Sequence, residues 1–293
     1  VDAQREYKDR LFSFIFGSEE HREWTLSLYN AVNGTDYAEP DAIEITTVRG
    51  VLYLGMRNDV SFLISDEMNM YEQQSTYNPN APLRMLQYAG NLYEKYVRAN
   101  SLNKYGTRPI TLPVPKLVVF YNGRADKPDE ATLALSASFP PEKRQDADIE
   151  VRVRMINVNA GRSEGLLDRC RPLYEYSYIV DRVRRFEEEM DLEKAIDRMI
   201  DTLPGDFILK PYLEQHRAEV KGMLLTEYNE AEQMELFREE GRAEGRAEGR
   251  AEGEHRLAGL VAKLVSSGRI TDVVRASTDA AYREQLYREF GIA

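Results

Sequence analysis

The sequence predicts a mixed α/β core over residues 1–164, followed by a chain that is helical to its end. Three observations predict it. Short runs rich in β-branched and aromatic residues, bounded by turn residues, crowd between Ile43 and Tyr77. The continuous apolar run PKLVVFYNG (Pro115–Gly123) has the character of a central strand buried on both faces. After Gly165 apolar residues recur at helical spacing only.

The first segment, Arg5–Gly34, places Leu11, Phe14, Ile15, Trp24, Leu26, Leu28 and Tyr29 at helical spacing and stops at Asn33-Gly34. IEITTV (Ile43–Val48), GVLYLG (Gly50–Gly55) and NDVSFLIS (Asn58–Ser65) follow as β-rich runs. MNMYEQQSTY (Met68–Tyr77) ends at the turn residues Asn78-Pro79-Asn80. PLRMLQYAGNLYEKYVRAN opens on a helix-starting Pro82, with Leu83, Leu86, Leu92 and Tyr96 on roughly one face. DIEVRVRMINVNA (Asp148–Ala160) is a further strand, beyond a Pro-rich excursion. The order is helix, three strands, helix, strand and one more strand.

Three further regions are expected: a charged, amphipathic helical region over 165–240, a Gly-Arg-Ala-Glu repeat over 241–254, and a small helical unit over 255–293. On a helix the repeat would stack like charges at i,i+4 and cost about 1 kcal/mol for each Gly. A linker is therefore expected there; a Gly stripe permitting close helix contact is the other reading.

One cysteine, Cys170, rules out an internal disulfide and any CxxC zinc site, and the three scattered histidines argue against a His cluster. No apolar run approaches the roughly 20 residues needed to span a bilayer, and the charged opening VDAQREYKDR is unlike a signal peptide, so a cytoplasmic protein without a membrane partner is expected. The formal net charge of -11 is unevenly spread. Between Pro82 and Arg124 seven basic residues (Arg84, Lys95, Arg98, Lys104, Arg108, Lys116, Arg124) face one acid, Glu94. That island is either a nucleic-acid contact or the solvated face of a helix.

The most informative stretch is GMRNDVSFLISDEMNMYEQQSTYNPNAPLR, Gly55–Arg84. It sets Asp59 and Glu72 in what reads as a buried hairpin, and an ionised carboxylate buried without a counter-charge costs several kcal/mol. Glu72 and Gln74 share one strand face while Gln73 points away. A two-residue turn at Ser65-Asp66 makes Asp59 and Glu72 direct partners, one at Asp66-Glu67 opposes Asp59 to Gln74, and a three-residue loop separates them. Converging carboxylates with a strand carbonyl would make a hard, oxygen-only site suited to Mg²⁺. Alternatively, Asp59 opens the hairpin, Glu72 is an edge-strand charge and Gln74 a surface residue.

In these residues the sequence resembles the PD-(D/E)XK nuclease superfamily, and within it the branch of recombination-promoting nucleases and transposase-like proteins. The resemblance runs through NDVSFLIS, YEQQSTYNPNAPLR, PKLVVFYNG, VRMINVN, LEKAIDRMI and EYNEAEQMELFREEGRAEGR, covering most of residues 6–252. It implies a restriction-endonuclease-like αβββαβ core and a Mg²⁺- or Mn²⁺-dependent DNA endonuclease serving recombination or DNA mobility. Asp59, Glu72 and the Gln73 main-chain carbonyl would ligate the ion; Asp59, Glu72 and Gln74 would be catalytic. Gln74 stands where the superfamily usually has Lys. It can donate and accept hydrogen bonds but brings no charge, so a base role passes to water on the ion and cationic help to a residue such as Arg84. Arg84, Lys95 and Arg98 are the expected DNA contacts, and the helical C-terminal region is the expected seat of homo-oligomer contacts. The rival readings are a catalytically silent nucleic-acid-binding module and a protein-interaction scaffold built on the helical half.

Overall fold

The structure, a computed structural model, describes residues 11–46 and 59–292; for 230–245, 247–249, 251 and 252 it describes the backbone alone. The expected strand Gly50–Gly55 and the end of Ile43–Val48 lie outside the described residues.

The chain is α/β, and its described residues form a mixed sheet of six strands: β1 (Glu44–Ile45), β2 (Val60–Ile64), β3 (Glu67–Gln74), β4 (Val114–Tyr121), β5 (Glu130–Ala134) and β6 (Arg152–Asn157), in the order β1-β2-β3-β4-β6-β5. β2 and β3 form an antiparallel hairpin; β3, β4 and β6 run parallel, and β5 closes the far edge antiparallel to β6. The parallel step from β3 to β4 requires a crossover, which α3 (Ala81–Ala99) supplies. β5 was not among the expected strands: it is a short edge strand that precedes the Pro-rich excursion at Phe139-Pro140-Pro141.

Alternation along the strands divides the core into two layers. Val60, Phe62, Ile64, Tyr71, Val118, Phe120 and Ile156 point to one face, where they meet α1 (Leu11–Phe16), α2 (Arg22–Asn33) and the later helices α4 (Glu164–Leu167), α5 (Arg171–Glu187), α6 (Leu192–Asp201) and α7 (Lys210–Gln215). Met68, Met70, Val119, Tyr121, Val153 and Met155 point to the other, under α3. That helix buries Ala81, Met85, Tyr88, Ala89 and Leu92; of the expected stripe Leu92 is buried, Leu86 and Tyr96 are partly buried and Leu83 is exposed. The N-terminal segment stops where expected: Gly34 takes a left-handed conformation, φ 68°, that its missing Cβ makes inexpensive.

Two compact units are present, one ending at Ala231 and the other beginning at Glu232. Helices α5, α6 and α7 therefore lie in the same unit as the sheet, across the expected 164/165 boundary. Tyr176, Ile179, Val183, Ile196 and Met199 enter the same apolar cluster as Phe12 and Leu28. The repeat over 241–254 is not an extended linker either: it is helical, within α8 (Arg217–Ser266). Three of each four residues are good helix formers, and propagation from helix already formed avoids the cost of nucleation, which offsets the glycines.

The second unit, described by itself, packs Leu260 and Leu264 against Ala276 of α9 (Ile270–Thr278) and Leu286 and Tyr287 of α10 (Ala280–Glu289). No helix among the described residues is long and apolar enough to cross a membrane.

Candidate active site

The hairpin register decides where the two carboxylates fall. Ile64 pairs with Glu67 across the two-residue turn Ser65-Asp66, whose residues both have positive φ (47° and 61°), and Val60 pairs with Tyr71. Such a turn matches the twist of its strands, although Gly or Asn more often fills it. Continued by one residue, this register sets Asp59 opposite Glu72, the first of the three arrangements open at the sequence level. Glu72 and Gln74 follow Met68 and Met70 on the face that α3 covers. Asp59, just before the start of β2, accepts the main-chain N–H of Gln73 at 2.6 Å.

Glu72 is 6% exposed, so the sequence-level requirement for a compensating positive charge applies to it in full. Arg84 meets it: its guanidinium donates to Glu72 Oε1 from the first turn of α3. The Gln74 amide donates to the same oxygen at 3.1 Å. Glu72, Gln74 and Arg84 thus meet where β3 ends and α3 begins, and the register sets Asp59 opposite Glu72.

Gln73 is held from the opposite face. Its amide donates to Asn122 Oδ1 at 2.6 Å, and the Asn122 amide donates to the Tyr176 hydroxyl at 2.9 Å. All three side chains are buried. Arg184 of α5 adds bonds to the Asn122 carbonyl and, at 2.8 Å, to Asn159 Oδ1, while the Asn159 amide donates to the Gly123 carbonyl at 3.0 Å. Gly123 permits this close packing, since a Cβ there would collide with the Ser75 carbonyl and the Tyr121 ring. The network fixes the backbone carrying the Gln73 carbonyl. It was missed at the sequence level because its members lie far apart in the chain; the one available signal was the polar pair Asn122-Gly123 ending an apolar run.

The basic island is not brought together. Lys95 and Arg98 sit about 16 and 21 Å beyond Arg84 along α3, at about 1.5 Å per residue. Lys95 donates to the Thr46 carbonyl at 3.0 Å. Lys104 pairs with Glu94, and that contact holds the Glu94 carboxyl below its ordinary range. Lys116 pairs with Glu67 at the start of β3 and Arg124 with Glu187.

Three further polar residues take structural places. His21 stacks on Trp24, ring centroids 3.8 Å apart. Cys170 is fully buried and its thiol is pushed up to about 11 by that burial, so it is not a thiolate at neutral pH. Glu175, which carried no signal in the sequence, is fully buried and accepts from Arg171 (2.9 Å) and the N–H groups of Ile208 (3.0 Å) and Leu209 (2.9 Å), fixing the entry to α7. Among the described residues no group of three or more His, Cys, Asp or Glu side chains is placed to hold a metal ion. A site of two carboxylates and a main-chain carbonyl falls below that count, and its oxygen-only chemistry suits a hard divalent cation.

No protein-family model, curated protein sequence or solved structure matches the chain.

Proposed function

We propose that the chain is a divalent-metal-dependent DNA endonuclease of the PD-(D/E)XK kind, hydrolysing phosphodiester bonds. The observation that carries the reading is the register that sets Asp59 opposite Glu72 on neighbouring strands, with Gln74 and Arg84 on the same carboxylate. A hairpin followed by a crossover helix and a parallel strand is also the element order this reading requires.

Asp59, Glu72 and the Gln73 carbonyl would hold Mg²⁺ or Mn²⁺. When bound, such an ion lowers the pKa of water and neutralises charge on the phosphate. Gln74 would orient the attacking water through its amide, and Arg84 would balance the negative charge that builds on the phosphoryl oxygens as the leaving oxygen departs. The exposed Lys95 and Arg98 would contact the backbone of a duplex lying along α3. A catalytically silent DNA-binding module is the second reading, favoured by the uncharged Gln74.

The deciding measurement is nicking of supercoiled plasmid with and without Mg²⁺, for wild type beside Asp59→Ala. Nicking by wild type with Mg²⁺, lost without the ion and lost in the variant, is the expected result. Equal nicking by both proteins would remove the reading. Metal-independent, salt-sensitive DNA binding without nicking would select the silent module.

A further inference from the structure

We infer that Arg84 is a transferable cation: it neutralises Glu72 before a divalent ion binds, and passes to the substrate phosphate once the ion takes the two carboxylates. The inference rests on the nuclease reading above and adds a coupling between metal and DNA that this reading does not contain.

Asp59 and Glu72 each bring a negative charge and Arg84 a positive one. A divalent ion on the carboxylates adds two positive charges beside Arg84, which raises the attraction of the cluster for a phosphodiester.

Geometry supplies the second step. Arg84 is bound to Glu72, a residue the ion would use, so guanidinium and ion compete for one carboxylate. Both cannot sit against Glu72 without like-charge repulsion in a place where Glu72 is shielded from water. The two partners differ in freedom. The Glu72 side chain is 9% exposed, whereas that of Arg84 is 31% exposed and stands on a long, flexible stem at the mouth of the first turn of α3. Arg84 is therefore the partner that moves. Its planar fork pairs with phosphate as readily as with carboxylate, so what Arg84 gives up on Glu72 it regains on the substrate. Gln74, already donating to Glu72 at 3.1 Å, keeps the carboxylate oriented during the exchange.

Linkage follows. Without DNA, Arg84 weakens metal binding by competition; with DNA, the phosphate draws Arg84 away and metal binding tightens. By reciprocity the ion must strengthen DNA binding by the same factor.

The test measures binding, not cleavage. Mn²⁺ affinity is followed by electron paramagnetic resonance and calorimetry for wild type, Arg84→Met, Arg84→Lys and Asp59→Ala. The affinity of each for a labelled duplex oligonucleotide is then measured in chelator and in Ca²⁺. Without DNA, Arg84→Met should bind Mn²⁺ about tenfold more tightly than wild type, an effect of ordinary allosteric size. It should also lose most of the cation-dependent gain in duplex affinity. Arg84→Lys, a monodentate and therefore weaker competitor, should fall between them. If Arg84→Met does not fold, Arg84→Lys decides, and Mn²⁺ binding equal to or weaker than wild type overturns the exchange. Equal Mn²⁺ affinity in wild type and Arg84→Met overturns the exchange alone. Wild type binding no more Mn²⁺ than Asp59→Ala removes the nuclease reading, and the exchange with it.

Discussion

Strand β3 carries an acid near each end, and the two ends are built differently. At its start, Glu67 is partly exposed, pairs with Lys116 at 3.1 Å and accepts the Tyr29 hydroxyl at 2.9 Å. Near its finish, Glu72 is buried, faces Asp59 across the hairpin and carries both Arg84 and Gln74. Each acid has a cation and a neutral donor. Only the second has another carboxylate in register with it, and only the second is shielded from solvent enough for its pairing to be costly to break. A structural ion pair needs neither feature; a metal site needs both.

The largest effect expected from this contrast is catalytic. If Glu72 is a metal ligand as proposed, Glu72→Ala should reduce plasmid nicking by at least about 10³-fold, while Glu67→Ala should stay within about twofold of wild type. Comparable losses in both variants, with both proteins folded by circular dichroism, would erase the distinction between the two ends. Gln74→Ala comes next. A side chain that only positions water is worth about 10²-fold, so single-turnover cleavage should slow by that order while Mn²⁺ affinity holds. Abolished cleavage at unchanged Mn²⁺ affinity would mean the amide does more than orient.

How much of this contrast was legible in the sequence can be read from particular residues. Asp59 and Glu72 stood out because carboxylates are anomalous in apolar runs, and β-strand parity restricted how they could meet. The choice among registers was not legible, since Ser65-Asp66 is an uncommon occupant of a turn with two positive φ values. Arg84 was visible as a cation but not as the partner of Glu72, because a turn and the start of α3 intervene. The helical half was legible as helix but not as core: amphipathic spacing gives α5 and α6 a buried face without naming what it covers, and here it covers the sheet. β5 escaped notice because an exposed edge strand has no apolar run to announce it.

The Gln73–Asn122–Tyr176 chain sharpens the comparison from the stability side. Asn122→Ala leaves the Gln73 amide and the Tyr176 hydroxyl short of a buried partner, at about 1–3 kcal/mol. Chemical denaturation should show that loss as a lower midpoint with an unchanged slope. Mn²⁺ affinity should also fall, because the backbone carrying the Gln73 carbonyl is less firmly held. A stability loss with Mn²⁺ binding intact would make the network purely structural.

The smallest expected effect lies at the other end of the strand, and measuring it takes care over which partner is removed. Truncating Glu67 would also strip the Tyr29 hydroxyl of its acceptor, and Tyr29 is buried, with its phenol pushed up in pKa by that burial first and by Glu67 second. The loss would then report a buried hydroxyl rather than an ion pair. Lys116→Met is the cleaner change, since it leaves the Tyr29–Glu67 bond in place. The Lys116 side chain is 41% exposed, so water and salt screen its attraction to Glu67. Lys116→Met should cost less than about 1 kcal/mol, and that cost should shrink further in high salt. Removing Arg84 from the buried Glu72 should cost more than removing Lys116 in the absence of metal, with less relief from salt. Urea denaturation of Lys116→Met and Arg84→Met at low and high ionic strength measures both. If the two variants lose equal stability with equal salt dependence, the ends of β3 do not differ electrostatically, and Arg84 on Glu72 is an ordinary surface pair.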